Sequence, residues 1–278
     1  MSTSFYRRKS VEELTFTDDG MFQAVMRDPA LCTELIERLL HLKVSRVEYP
    51  ELEKTIAPYF SSKGVRLDVY LKDPERIIDI EMLSYPQREI GLRSRYYQSM
   101  IDMDSLMKGQ NYADMKSCYV LFICKSDPFK DERGKEIGLP RYTFTTKCHE
   151  LEGLNFGDKI TKMIYNASGY EKETDERIRK FLQFVFTNNP SDDDFSNRLK
   201  DRVSKLKDDE QFKEVYAAMN LREMDIRREA IAEGKIQGAE EKSVEAAVIA
   251  VQKYNARPED AAKDFNAPLP KVLEKLKM

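Results

Sequence analysis

The stretch Cys118–Cys124, CYVLFIC, is an unbroken apolar run followed closely by the breaker pair Asp127-Pro128. A short run of this kind, bounded by turn residues, reads as a strand with both faces apolar. Such a strand has to be covered on both sides, which puts it in the interior of a sheet. The rest of the chain must then supply neighbouring strands and covering helices.

Neighbours lie upstream. In VRLDVYLK, Val65, Leu67, Val69 and Leu71 alternate with Arg66, Asp68 and Tyr70. In RIIDIEML, Ile78, Ile80 and Met82 alternate with Asp79, Glu81 and Leu83. Both carry the period-two pattern of a strand. Asp73-Pro74-Glu75-Arg76 joins them, with proline where a type I turn takes it and Asp in front. Centring a hairpin on that turn pairs Leu71 with Ile78 and Tyr70 with Asp79. It also sets Asp68 opposite Glu81 on the same face, and a one-residue slip would part them.

The flanking segments are helical. Phe22, Val25 and Met26 recur at helical spacing, and Asp28-Pro29 supplies an N-cap and a first-turn proline. That pair opens a second helix striped by Leu31, Leu35, Ile36, Leu39 and Leu40. Residues 44 to 56 read as extended. A helix runs from about Pro86 to Lys108, closed by Gly109. Arg141–Phe144 reads as a further strand, and the pattern is irregular from there to Asp175. Charged helical text continues to Lys242, and two or three short helices end the chain. This order predicts an α/β fold, a mixed sheet flanked by helices, with a helical C-terminal extension. The expected division is a core over 1–190, a charged helical extension over 191–242 and a small helical module over 243–278.

Composition narrows the function. Among 278 residues, Lys+Arg 46 nearly balances Asp+Glu 49, so any nucleic-acid binding must come from a local basic surface. No apolar run reaches the roughly 18 residues of a membrane span. The N-terminal MSTSFYRRKSVEEL has no apolar segment behind its basic residues, which argues against a secretory signal. The four cysteines form no CxxC pair and there are two histidines, His41 and His149, so a zinc site is unsupported. Cys118 and Cys124, inside the apolar run, are expected to be reduced, buried thiols, and the expected location is cytoplasmic. There is no GxxxxGK[ST] loop and no GxGxxG, hence no nucleotide cofactor is expected.

Asp68 and Glu81 pose the physical question, because like charges facing each other across a strand pair destabilise a sheet. The wet face of an amphipathic hairpin is one answer, with Arg66 near enough to neutralise one carboxylate. A divalent cation is the other. Two carboxylates completed by waters and phosphate oxygens suit Mg²⁺, with Mn²⁺ as substitute. Such an ion polarises a phosphoryl oxygen and acidifies a water for in-line attack.

RLDVYLKD and IIDIEM, followed by RSRYYQSMIDMDSLMKGQNY and CYVLFICKSDPF, resemble the PD-(D/E)XK nuclease-like proteins. More closely, they resemble the branch of recombination-promoting nucleases and transposases, from about Thr17 to Gly169, with TDDGMFQAVM early and GDKITKMIYNASG late. The resemblance implies a restriction-endonuclease-like fold and a metal-dependent DNA endonuclease associated with recombination or mobile elements. It makes Asp68 and Glu81 the metal ligands and catalytic acids. The family's third motif position is lysine in most relatives and glutamine in this branch; here it is Leu83, on Glu81's face but without a polar group.

Gln98 on the following helix, or Lys125 after the apolar run, is a candidate to take that role. The alternative function is a catalytically weak or inactive DNA-binding or assembly protein on the same fold. Arg66, Arg93 and Arg95, with Arg88 nearby, are candidate phosphate contacts. Asp79, Glu53 and Glu37 are further acids to place. The terminal helices offer either a helix-turn-helix-like DNA contact or a homodimer interface. Their lysines are offset by Glu259, Asp260, Asp264 and Glu274, which favours dimerisation or an accessory role.

Overall fold

The structure, a computed structural model, describes residues 9–44, 51–56, 65–85, 89–190 and 192–277, with the side chains of 51–55, 65–66 and 219–236 outside that description. In chain order the elements are α1 (Asp19–Met26), α2 (Pro29–Leu40), β1 (Glu51–Ile56), β2 (Val65–Lys72), β3 (Arg76–Leu83), α3 (Ile90–Ser105), β4 (Ser117–Cys124), β5 (Arg141–Phe144) and β6 (Ile160–Asn166). They are followed by α4 (Glu176–Thr187), α5 (Asp194–Asp208), α6 (Glu210–Tyr254), α7 (Pro258–Asp264) and α8 (Leu269–Leu276). Arg88 lies outside the described residues.

The apolar run becomes β4, inside a sheet of order β1-β2-β3-β4-β6-β5. It pairs in parallel with β3 on one side and β6 on the other. Both of its faces are buried, as its composition requires: Cys118, Val120, Phe122 and Cys124 on one, Leu121 and Ile123 on the other. On the first face α3 packs through Ile90, Tyr97, Met100 and Ile101. On the second, α1 packs against β2 and β3, and the Tyr165 hydroxyl of β6 donates to the Leu39 carbonyl of α2.

Local chemistry sets the hairpin. Asp73 Oδ1 accepts from the amides of Glu75 (2.8 Å) and Arg76 (2.6 Å), while the Asp73 amide donates to the Arg76 carbonyl at 2.9 Å. The ladder then runs Lys72↔Ile77, Leu71↔Ile78, Tyr70↔Asp79 and Val69↔Ile80, the register expected from the turn. Asp28 caps α2 through the amides of Ala30 (2.9 Å) and Leu31 (3.2 Å), ahead of Pro29 at the first helical position.

Two elements differ from expectation. β6 falls in text that reads as irregular, because Thr161 and Lys162 break its alternation and its first half is only partly buried. The chain divides into compact units at Met1–Phe212 and Lys213–Met278. Residues 192–212 therefore lie with the sheet: Phe195, Leu199 and Val203 of α5 are buried, and Asp193 Oδ2 takes Arg38 Nη1 of α2 at 2.9 Å. In the second unit, Val244 and Ala247 of α6 share a small core with Ala261, Ala262 and Val272. Cys32, Cys118 and Cys124 are buried thiols and no disulfide forms. Among the described residues no helix is long and apolar enough to cross a membrane.

Candidate active site

Beyond Val69↔Ile80 the β2–β3 backbone ladder gives way to side-chain bonds. The Asp68 amide donates to Glu81 Oε1 at 3.0 Å, and the Met82 amide donates to Asp68 Oδ2 at 3.1 Å. Each acid thus caps the opposite strand, and the two carboxylates stand side by side where the strands stop pairing. The remaining oxygens are also engaged. Gln23 Nε2 of α1 donates to Asp68 Oδ1 at 3.0 Å, and Arg93 Nη2 of α3 donates to Glu81 Oε2 at 3.2 Å.

Burial makes this arrangement electrostatically tense. Asp68 is 6% exposed, Glu81 1% and Asp79 0%. Burial, then the charges of Glu81 and Asp19, push the Asp68 carboxyl well above the ordinary range, against the Met82 amide and Gln23. Burial pushes Glu81 up to about 7, held back by the Asp68 amide and the Arg93 guanidinium. Asp79, two residues behind Glu81 on the same face, is raised by burial and by both neighbouring acids. Neither of its oxygens has a hydrogen-bond partner among the described residues. The repulsion seen in the sequence is therefore offset by two backbone amides, one carboxamide and one guanidinium.

The other expected residues are distributed unevenly. Arg93 comes to the acids, and its Nε and Nη2 also reach the Tyr97 hydroxyl at 3.1 and 2.6 Å. Arg95 is exposed and lies elsewhere on α3; burial, and then the charge of Arg95, lower the pKa of Lys162 of β6. The side chain of Arg66 lies outside the described residues. Gln98 is not brought to the pair: its Nε2 donates to Asp102 Oδ1 at 3.0 Å. It lies beside the Cys118 thiol, which pairs with Ile77 at the far end of β3, roughly 13 Å along the strand from Glu81.

Leu83 is buried in the apolar cluster with Ile90 and Tyr97. Lys125 donates its amide to the Leu83 carbonyl at 3.0 Å. Glu37 is engaged on α2 by the Val44 amide (3.2 Å) and Lys43 (3.3 Å). Glu53 stands between Leu52↔Val69 and Lys54↔Leu67, hence alongside Asp68 in register, with its side chain outside the described residues.

Two contributors escape the spacing rules. Gln23 and Asp19 sit one turn apart on α1, and Gln23 Nε2 bridges Asp19 Oδ1 (2.8 Å) and Asp68 Oδ1. The available signal was a glutamine interrupting an otherwise apolar face in MFQAVM. Burying that amide is costly unless it is bonded, as it is here.

Among the described residues no group of three or more His, Cys, Asp or Glu forms a metal-holding set. The pair nevertheless suits a hard cation: each of its oxygens carries one hydrogen bond and retains a lone pair, and Mg²⁺ takes one or two carboxylates and completes its shell with water and phosphate. The family model described as "PD-(D/E)XK nuclease family transposase" matches residues 21–247. No curated protein and no solved structure matches the chain.

Proposed function

Because the chain belongs to the PD-(D/E)XK nuclease family transposases, we propose that it is a Mg²⁺-dependent DNA endonuclease, with Mn²⁺ as substitute, acting in recombination or mobile-element movement. The observation that carries this reading is the pair Asp68 and Glu81, abreast where the β2–β3 ladder ends and both pushed toward protonation by burial. Asp68 and Glu81 would hold the cation, and a divalent ion there supplies a Lewis acid for the phosphoryl group. Gln23 fixes Asp68 and Arg93 fixes Glu81, so neither carboxylate has to be ordered when substrate arrives. The buried apolar cluster under α3 includes Leu83, the next residue on Glu81's face.

Hydrolysis itself is an exchange of ester bonds. A water oxygen forms a new bond to phosphorus and the bond to one deoxyribose oxygen breaks. That leaving oxygen keeps the electron pair and takes up the water's proton by way of solvent. The test is nicking of supercoiled plasmid DNA with Mg²⁺ or Mn²⁺, which Asp68→Asn and Glu81→Gln abolish; variants that cut like the parent would end the reading.

A second reading has its own observation. Leu83 offers no polar group, and Arg93 already neutralises Glu81, which suits a protein that binds DNA on this fold without cutting it. Retained DNA binding with no cleavage under any divalent ion would decide for it. For the terminal helices α7 and α8 the reading is a homodimer interface or an accessory role, since Lys263, Lys271, Lys275 and Lys277 are offset by Glu259, Asp260, Asp264 and Glu274, and Lys271 is paired with Glu240 at 2.6 Å.

A further inference from the structure

Attack on a phosphodiester loads negative charge onto the phosphoryl oxygens, and a cation fixed in advance beside them lowers the barrier. Leu83, the next residue on Glu81's face, is buried and apolar and supplies none. α3 covers this face with Ile90, Arg93 and Tyr97 at helical spacing, and Ile90 and Tyr97 pack in the same cluster as Leu83. Arg93 is thereby delivered from the helix to the acid on the strand.

Its guanidinium is held along one edge. Nη2 bonds Glu81 Oε2 (3.2 Å) and the Tyr97 hydroxyl (2.6 Å), Nε bonds the same hydroxyl (3.1 Å), and the group lies 5.0 Å from the Tyr97 ring centre. Nη1 is bonded to none of the described residues. The side chain is 32% exposed, against 2% for that of Glu81. A planar fork clamped at one edge and unused at the other suits a phosphate oxygen, which an ammonium would meet only as a point charge.

Resting on the nuclease reading above, we propose that Arg93 is a catalytic residue: Nη2 holds Glu81 in place while Nη1 meets a non-bridging oxygen of the scissile phosphate. Arg93 gives up no proton and forms no covalent bond; it offsets charge while the water–phosphorus bond forms and the ester bond breaks. This separates it from a backbone clamp such as an exposed arginine provides, which adds affinity without changing the rate.

The experiment compares Arg93→Met, Arg93→Lys and the double variant Arg93→Met/Leu83→Lys in the full chain. Readouts are cleavage at saturating DNA, DNA affinity, and affinity for Mn²⁺ alone by calorimetry. Arg93→Met should lower the saturated rate roughly 10²–10³-fold, the scale of one transition-state donor. DNA affinity should change less than about threefold, and Mn²⁺ should bind as well or better because a cation beside the acids is gone. Arg93→Lys should fall between Arg93→Met and the parent. Leu83→Lys, placing an amine on Glu81's own face, should recover at least about tenfold in the double variant.

An Arg93→Met protein that cuts like the parent overturns the proposal. So does one whose defect lies in DNA affinity with the saturated rate intact, or one that loses Mn²⁺ binding and gains nothing from Leu83→Lys, since Arg93 would then be a mere support for Glu81. A parent protein that never cuts defeats the nuclease reading itself and this proposal with it, an outcome distinct from the others.

Discussion

Burial of the acid cluster ties the stability of the metal-free protein to pH in a direction opposite to most ion-paired proteins. Glu81 is raised from 4.5 to about 7 in the folded chain. Between those values the folded state holds a proton that the unfolded state has released, so stability falls as pH rises. Each pH unit across that window costs about 1.4 kcal/mol, giving about 3 kcal/mol for Glu81 between pH 4.5 and 7. Asp68 and Asp79 are raised as well and act with the same sign. Urea denaturation in EDTA at pH 5 and pH 8, followed by near-ultraviolet circular dichroism, reads this directly. All tyrosines except Tyr216 and Tyr254 belong to the unit that carries the sheet, so the signal reports its unfolding. The parent should be less stable at pH 8 by about 3 kcal/mol or more, and Glu81→Gln should remove a part of that difference of about the same size. Stability that rises from pH 5 to pH 8, or a pH dependence that Glu81→Gln leaves intact, would mean that Glu81 is not protonated in the folded chain.

Three further outcomes follow from the same geometry. Gln23→Leu strips the shared donor from Asp19 and Asp68, and should cost about 1–3 kcal/mol at pH 8 in the same denaturation assay; a change below about 0.5 kcal/mol would mean the bridge is idle. Asp79→Asn removes a buried carboxyl with neither oxygen bonded to a described residue, so stability at pH 8 should hold or rise, and a loss above about 1 kcal/mol would reveal a partner that the charge needs. Ending the chain at Asn220 should turn a dimer into a monomer by light scattering while leaving the sheet-bearing unit folded, and an unchanged association state would remove the dimerisation role.

The sheet was legible where local chemistry and burial agree. Asp73-Pro74 fixes one turn, so the whole β2–β3 register follows from it, and with it the approach of Asp68 to Glu81. β4 declared itself because both of its faces are apolar. β6 did not, because its first half faces partly exposed surroundings and carries Lys162. The site was half legible for a related reason. Ser94, Tyr97, Gln98 and Ile101 are all buried on α3, and periodicity cannot say which end of a helix overlies which end of a strand. The direction of α3 decides it, setting Arg93 at Glu81 and Gln98 at Cys118. Gln23 reaches Asp68 across 45 positions of sequence, a distance no spacing rule spans.

In the nuclease proposed above, Asp68 and Glu81 share one divalent cation. Crystals soaked in Mn²⁺, with anomalous difference maps from the parent and from Glu81→Gln, test it most directly. One Mn²⁺ peak should touch an oxygen of each carboxylate in the parent and be lost in the variant. A parent map without that peak, with Arg93 still closed on Glu81 at saturating Mn²⁺, would contradict it.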